Sequence, residues 1–351
     1  MNNRLNKRLK NIPTDVWLKI NQIEALNGQW IAGAKLDAQA LGRLKRSVLI
    51  TSTGASTRIE GAKLSDEDIE KMMRGLSVQK FADRDVQEVK GYYELLNNIF
   101  NSWKQIKFNE NAVQHFHKEL LKYVKKDQRH RGEYKKQENK VVTTDQNGKI
   151  VNVLFNTTPA YLTPKQMHEL IEWTITALKN KTNHPLLIIG NFLVEFLNIH
   201  PFTDGNGRIS RILTNLLLLQ NGFEYMPYVS HERIIEDNKP EYYIALRRSQ
   251  KTINKTNENI TPWFNFFFDI ILIQSKRAVE LLSKENVEKL LSPKQLAVWQ
   301  YLNTVAEATP AEISKNAKVA RPTINQALDK LMRLKKVERI GLGRTTRYKK
   351  I

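Results

Sequence analysis

The stretch "IHPFTDGNGRISRIL", Ile199 to Leu213, decides the reading of the fold. It joins the apolar run "HPLLIIGNFLVEFLNI" (184–199) to a second one, "RISRILTNLLLLQNG" (208–222), through a turn made of chemistry-bearing residues. Two buried helices with a polar loop between them are expected. Gly205, Asn206 and Gly207 fall at the start of the second helix, where backbone N–H groups lack intrahelical partners. Glycine there lets an anion approach the backbone closely. Arg208 and Arg211 are three residues apart and project from one side of the helix, as a pair of phosphate clamps would. Asp204 is placed to hold a Mg²⁺ bridging those phosphates, because Mg²⁺ takes few carboxylates and completes its shell with phosphate oxygens. His200, at the end of the first helix, is suited to take a proton from an attacking hydroxyl. Anion nest, metal carboxylate, clamps and base together point to nucleotidyl or phosphoryl transfer.

The surrounding 351 residues, 41% of them hydrophobic, suffice for two or three domains. The absence of cysteine excludes disulfides and thiolate metal sites, and a reducing, cytoplasmic setting is expected. "MNNRLNKRLKNIP" is basic without an apolar run behind it, so a secretory signal is not expected. The greasiest stretches, such as "FNFFFDIILI", are too short to span a bilayer, so no membrane partner is expected. The net charge of +20 favours a polyanionic partner.

Helical periodicity dominates. "DRDVQEVKGYYELLNNIF" (83–100), "NENAVQHFHKELLKYV" (109–124) and "TPKQMHELIEWTITALKN" (163–180) repeat apolar residues at helical spacing. Thr163–Pro164 and Thr261–Pro262 read as N-caps followed by proline at the first helical position. His115 and His117 face apart on their helix, so they form no metal pair, and His117 reads as a core residue. The one strand signal, "NKVVTTDQNGKIVNVLF", flanks Asn147–Gly148, a hairpin turn. After residue 290 the order becomes helix, helix, helix and a two-stranded ribbon, as in a winged helix-turn-helix. This tail holds 13 Lys/Arg against 4 Asp/Glu. Arg321, Thr323, Asn325 and Gln326 open its third helix, where DNA would be met; the alternative is a protein-contact or homodimer surface.

"HPFTDGNGRISR" resembles, position by position, the signature HPFx(D/E)GNGRxxR of Fic-domain proteins. The resemblance implies a mainly α fold: an all-helical Fic core with one β-hairpin flap, here followed by the winged helix. It implies AMP transfer from ATP to a Ser, Thr or Tyr hydroxyl of a target protein, or of the chain itself, with release of pyrophosphate. Within it His200 is the general base, Asp204 the Mg²⁺ ligand, and Gly205, Asn206, Gly207 and Arg208 the phosphate cradle. Arg211 holds the γ-phosphate. Upstream, Ser56-Thr-Arg-Ile-Glu60-Gly61 resembles the family's (S/T)xxxE(G/N) inhibitory motif, in which the glutamate occupies the second arginine. Ser56 and Glu60 share one helix face, and Gly61 is placed to end that helix.

The hairpin lies where the family has its target-clamping flap. Lys135 stands where an arginine is commoner, which leaves target preference open. "IIEDNKPEYYIAL" resembles the segment lining the adenine pocket, with Asn238, Tyr242 and Tyr243 as candidates. The expected division is an N-terminal helical segment over 1–85, the Fic core over 86–275, a linker over 276–290 and the winged helix over 291–351. Two other functions fit the same motifs: a nucleotide-responsive DNA-binding regulator, and removal of AMP from a modified protein.

Overall fold

The computed structural model describes residues 3–33, 38–75, 83–144, 150–181, 183–334, 336–341, 343 and 346–351; residues 3, 38–40, 83, 140–144, 150–156 and 283–290 are described by backbone alone. The chain forms two compact units, Met1–Ala278 and Val279–Ile351. It opens with α1 (Asn3–Arg8), α2 (Thr14–Gly33), α3 (Ala38–Ile59) and the short α4 (Asp66–Met73). A Ser65–Asp68 capping box starts α4. Next come α5 (Asp83–Ser102) and α6 (Glu110–Leu120), the latter capped by Asn109, whose side chain accepts the Ala112 N–H at 2.8 Å.

The strand signal becomes an antiparallel ribbon of β1 (Lys140–Thr144) and β2 (Ile150–Asn156), paired from Lys140–Asn156 to Thr144–Ile150 with two register shifts. Its expected turn at Asn147–Gly148 lies outside the described residues. α7 (Thr163–Asn180) begins one residue earlier than expected. Thr163 is already helical, and its hydroxyl donates back to the Pro159 carbonyl at 3.1 Å, because a 3-10 turn over Ala160–Leu162 runs straight into the helix. Thr163 is therefore no N-cap.

α8 (Pro185–Ile199) and α9 (Asn206–Gln220) follow, then α10 (His231–Asp237), α11 (Lys239–Gln250) and α12 (Thr261–Leu290). Thr261 likewise lies inside its helix, and its N–H is accepted by Asn259 Oδ1 at 2.9 Å. Every residue from Leu186 to Ile199 is buried, which is why α8 is apolar on all faces: α7, α9 and α11 pack around it. Each buried Leu, Ile or Phe there contributes about 1.5–3 kcal/mol. A Cβ at Gly190 would meet the Phe264 and Phe267 rings at 3.0–3.1 Å, so α8 and α12 touch at close range. Beside this contact Arg8 reaches Glu195 (2.7 Å), Asn191 (3.0 Å) and Glu258, and ties α1 to α8. α3 lies along α5 and α10 and also touches α9. That contact carries the tip of α3 to the loop before α9.

The second unit contains α13 (Pro293–Leu302), α14 (Pro310–Ala317), α15 (Arg321–Arg333), β3 (Val337–Ile340) and β4 (Arg347–Lys350). Capping boxes Ser292–Gln295 and Thr309–Glu312 start the first two helices. Val298, Trp299, Leu302, Ile313, Ile324, Leu328, Leu331 and Val337 fill its core. β3 and β4 pair antiparallel, and Ala308 adds a bridge to Tyr348. No helix among the described residues is long and apolar enough to cross a membrane.

Candidate active site

The site grows from the end of α8. His200 terminates that helix in the left-handed region (φ 53°, ψ 61°), donating its N–H to Phe196 O at 2.9 Å. A non-glycine residue holds this conformation only when its surroundings fix it. The next turn is pinned from within: Asn206 accepts the Phe202 N–H (2.9 Å) and donates to Phe202 O (2.7 Å). The buried Phe202 ring stacks on His117, with centroids 3.9 Å apart and planes 7° from parallel. His117 accepts the Gly132 N–H at Nδ1 (3.0 Å), which leaves Nε2–H to donate to Asp204 O (3.1 Å). Gly205 (φ 80°) then turns the chain into α9, whose first intrahelical bond is Ile209 N–H to Gly205 O. The N–H groups of residues 206–208 precede that bond, as an anion nest requires.

The side chains flanking the nest are already engaged. Arg211, only 2% exposed, donates from Nε to Ser56 Oγ (2.7 Å) and from Nη2 to Ser56 O (3.0 Å) and Glu60 Oε1 (2.7 Å). Its Nη1 is buried with no hydrogen-bond partner among the described residues. Burial disfavours the Arg211 charge, but the Glu60 carboxylate outweighs it and holds the pKa above the ordinary range. A Cβ placed on Gly207 would lie 2.2 Å from Glu60 Oε1. The carboxylate therefore sits against the first turn of α9. The reason lies in the local backbone: α3 stops at Ile59 and Gly61 takes φ 104°, so the Glu60 side chain projects from the helix tip.

Asp204 accepts from its neighbour Gly205 N–H (2.6 Å), from Arg208 Nη2 (3.0 Å) and from Arg84 Nη2 (3.0 Å). Burial alone would raise its pKa, but Arg208, the Gly205 N–H and Arg84 lower it and keep it ionised. Arg208 also donates to Glu88 Oε2 at 2.5 Å, so its guanidinium braces Asp204 and α5. Among the described residues no three His, Asp or Glu side chains are grouped to hold a metal. The donor set here is one ionised carboxylate, 37% exposed. It suits a Mg²⁺ that brings its own waters and phosphate oxygens.

His200 Nδ1 lies 3.4 Å from Leu197 O, which assigns the proton to Nδ1 and leaves Nε2 to accept. Burial lowers its pKa to about 4; the hydrogen bond to Leu197 O opposes this, and the Lys135 charge adds to it. Burial likewise lowers His117 and His231 to about 4. The ordinary value is 6.5, so between those limits the unfolded chain binds more protons than the folded one. Stability is complete above pH 6.5 and falls as pH drops toward 4, by up to about 4 kcal/mol per pH unit where all three contribute. Urea unfolding at half-unit steps checks this; a free energy unchanged from pH 6.5 to 4.5 contradicts it.

Tyr242 and Tyr243 border the Arg211–Glu60 pair, and both pKa values respond to those two charges beneath a dominant burial effect. The Tyr242 ring packs on Trp263, Phe266 and Tyr243, and the Tyr243 hydroxyl lies 3.5 Å from Ile59 O. Asn238 ends α10, where its side chain donates to Ile234 O (2.8 Å).

The expected residues His200, Asp204, Gly205, Asn206, Gly207, Arg208 and Arg211 thus meet Ser56, Glu60 and the two tyrosines around one loop. The sequence reading missed Arg84 and Glu88, whose partners lie 120 residues away. It placed His117 in the core without seeing that it carries the loop. Lys135, which stands where an arginine is commoner and leaves target preference open, is buried, 4% exposed, behind His200.

Residues 107–218 match the Fic/DOC family. A Fido domain-containing protein of Dictyostelium discoideum is 37% identical over 103 residues, 27% of this chain and 65% of that one. A probable protein adenylyltransferase of Aquifex aeolicus (strain VF5) is 32% identical over 107 residues, 29% of this chain and 28% of that one. The protein adenylyltransferase Fic of Nematostella vectensis is 37% identical over 104 residues, 26% and 23% of the two chains. The chain thus spans less than two thirds of each of these relatives. In fold, it is similar to a Fic family protein from Desulfovibrio desulfuricans G20 (TM-score 0.64, 22% identity, 97% of each chain). It also resembles a Fic domain containing signalling protein from Bacteroides thetaiotaomicron VPI-5482 (TM-score 0.61, 22% identity, 75% of this chain and 97% of that one).

Proposed function

We propose that the chain is an autoinhibited protein adenylyltransferase. The observation that carries this reading is the Glu60 carboxylate bound to Arg211 and lying on Gly207, at the helix terminus where an anion nest stands beside His200. With Glu60 withdrawn, the triphosphate of ATP lies along residues 205–211, its γ-phosphate taking the Arg211 guanidinium. Asp204 is the residue that would hold Mg²⁺, and the ion when bound neutralises phosphate charge. His200 Nε2 takes the proton of a Ser, Thr or Tyr hydroxyl as its oxygen bonds to the α-phosphorus. The bond from that phosphorus to the bridging oxygen breaks, and pyrophosphate leaves with the electron pair. The β1–β2 ribbon, which enters and leaves beside this loop, docks the target segment as an added strand. Tyr242 and Tyr243 line the nucleotide side. Incubation of the Glu60→Gly chain with α-labelled ATP and Mg²⁺ tests the reading: label enters a protein hydroxyl, the chain's own included, and label confined to free nucleotide with every protein supplied contradicts it.

A second reading concerns residues 291–351, taken as a winged helix that binds DNA. Arg321, Asn325 and Gln326 are exposed at the start of α15 while Ile324, Leu328 and Leu331 on its other face fill the core. Arg339, Arg347 and Lys349 are exposed on the ribbon. Fluorescence anisotropy with duplex DNA is expected to show affinity that falls steeply with salt and drops about tenfold in Arg321→Ala. Absence of binding at low salt contradicts it.

A further inference from the structure

Lys135 is placed as no sequence motif required. Its backbone N–H donates to Pro201 O at 2.8 Å, and its Nζ donates to Ile199 O at 3.0 Å. One residue therefore holds the carbonyls on both sides of His200. The same Nζ donates to Asn139 Oδ1 and to Thr157 Oγ1, each at 2.8 Å. Asn139 immediately precedes β1 and Thr157 immediately follows β2. The two are joined directly, Thr157 Oγ1 donating to Asn139 O at 2.8 Å, and Asn139 Nδ2 reaches on to Phe202 O at 3.1 Å. Three acceptors match the three hydrogens of an ammonium, and a neutral amine would leave one acceptor without its donor.

We infer that Lys135 is the positioning residue for His200, fixing the left-handed backbone that aims the imidazole and locking both ends of the β1–β2 ribbon to the same loop. The inference rests on the reading of His200 as the base and names what holds it. Two facts make the arrangement costly without such a role. His200 keeps φ 53°, a left-handed helix-end conformation that is costly for a non-glycine residue. The ammonium itself is buried among dipoles, and no carboxylate pairs with it among the described contacts. Burial accordingly lowers its pKa to about 8, against a weak opposing pull from Glu138. The charged and titratable groups facing this corner are Glu138 on its own segment, His200 at the end of α8, and Asp204 and Glu60 beyond the imidazole. Burial is the main cause that keeps the His200 imidazole neutral, and the Lys135 ammonium adds to it.

The test uses the full chain in the Glu60→Gly background, with Lys135→Met and Lys135→Arg. Two quantities are read: the pH dependence of kcat and of KM for ATP, and the titration of the His200 ring by ¹H–¹³C NMR. Lys135→Met is expected to lower kcat by about 10²-fold with KM for ATP within about twofold, as for a misaimed group. The His200 titration is expected to rise above about 4, the Lys135 charge being gone, and to stay below 6.5, because the ring remains buried. Lys135→Arg, which keeps the charge, is expected to retain the low His200 titration and to lose the alkaline fall in kcat near pH 8. A Lys135→Met chain with parental kcat and an unmoved His200 titration overturns the inference, whatever its melting temperature. Should Lys135→Met fail to fold, Lys135→Arg decides: an alkaline limb unchanged near pH 8 overturns it. If the Glu60→Gly parent transfers no AMP, the functional reading fails by itself, while the His200 titration still tests Lys135.

Discussion

Glu60→Gly raises the rate of AMP transfer by about 10- to 100-fold. The substitution removes the carboxylate that bonds Arg211 Nη2 at 2.7 Å and lies over Gly207. A hydrogen bond to a charged group contributes roughly 1.5–3 kcal/mol, and its loss as a competitor converts to about one to two decades in rate. Arg211 keeps its two bonds to Ser56, so the guanidinium stays where the γ-phosphate needs it. The fold should tolerate the change, because the Glu60 side chain is 31% exposed at a helix tip. Transfer from α-labelled ATP, measured beside the melting temperature, checks both halves. Unchanged labelling in a folded variant contradicts the inhibitory role.

His200→Ala in that background lowers transfer by about 10²- to 10⁴-fold, the usual contribution of a positioned general base. The imidazole is neutral at pH 7, and its Nε2 accepts while Nδ1 faces Leu197 O. Alanine at φ 53° carries backbone strain, so His200→Asn, which tolerates the left-handed region, separates lost chemistry from a displaced loop. Both variants are expected to bind ATP with affinity close to that of the parent. An Asn variant that transfers AMP at the parental rate removes His200 from the chemistry.

Much of this site is legible in the chain because it is local. The loop from His200 to Arg211 spans a few residues between two runs whose apolar character marks them as buried helices. Ser56 and Glu60 are one helical turn apart, so their shared face can be read from spacing. The partners that tune the loop arrive from elsewhere. Arg84 and Glu88 reach Asp204 and Arg208 across 120 residues, and the pair looks like any surface i, i+4 couple until α5 is packed against α9. His117 shows helical spacing and nothing of its bond to Asp204 O. Lys135 reads as a solvated lysine because charged side chains are rarely buried, and only the folded loop supplies its three acceptors. Helix ends are hidden from the sequence where a neighbouring turn runs into the helix, as the turn after Pro159 does at Thr163.

The central claim is that the N-terminus of α9 grips a triphosphate once Glu60 leaves it. A crystal structure of the Glu60→Gly chain with ATP and Mg²⁺ measures this most directly. The predicted density has the γ-phosphate on Arg211, phosphate oxygens on the N–H groups of residues 206–208 and the α-phosphorus beside His200. Nucleotide bound elsewhere, with this loop unchanged and bare of phosphate, contradicts it.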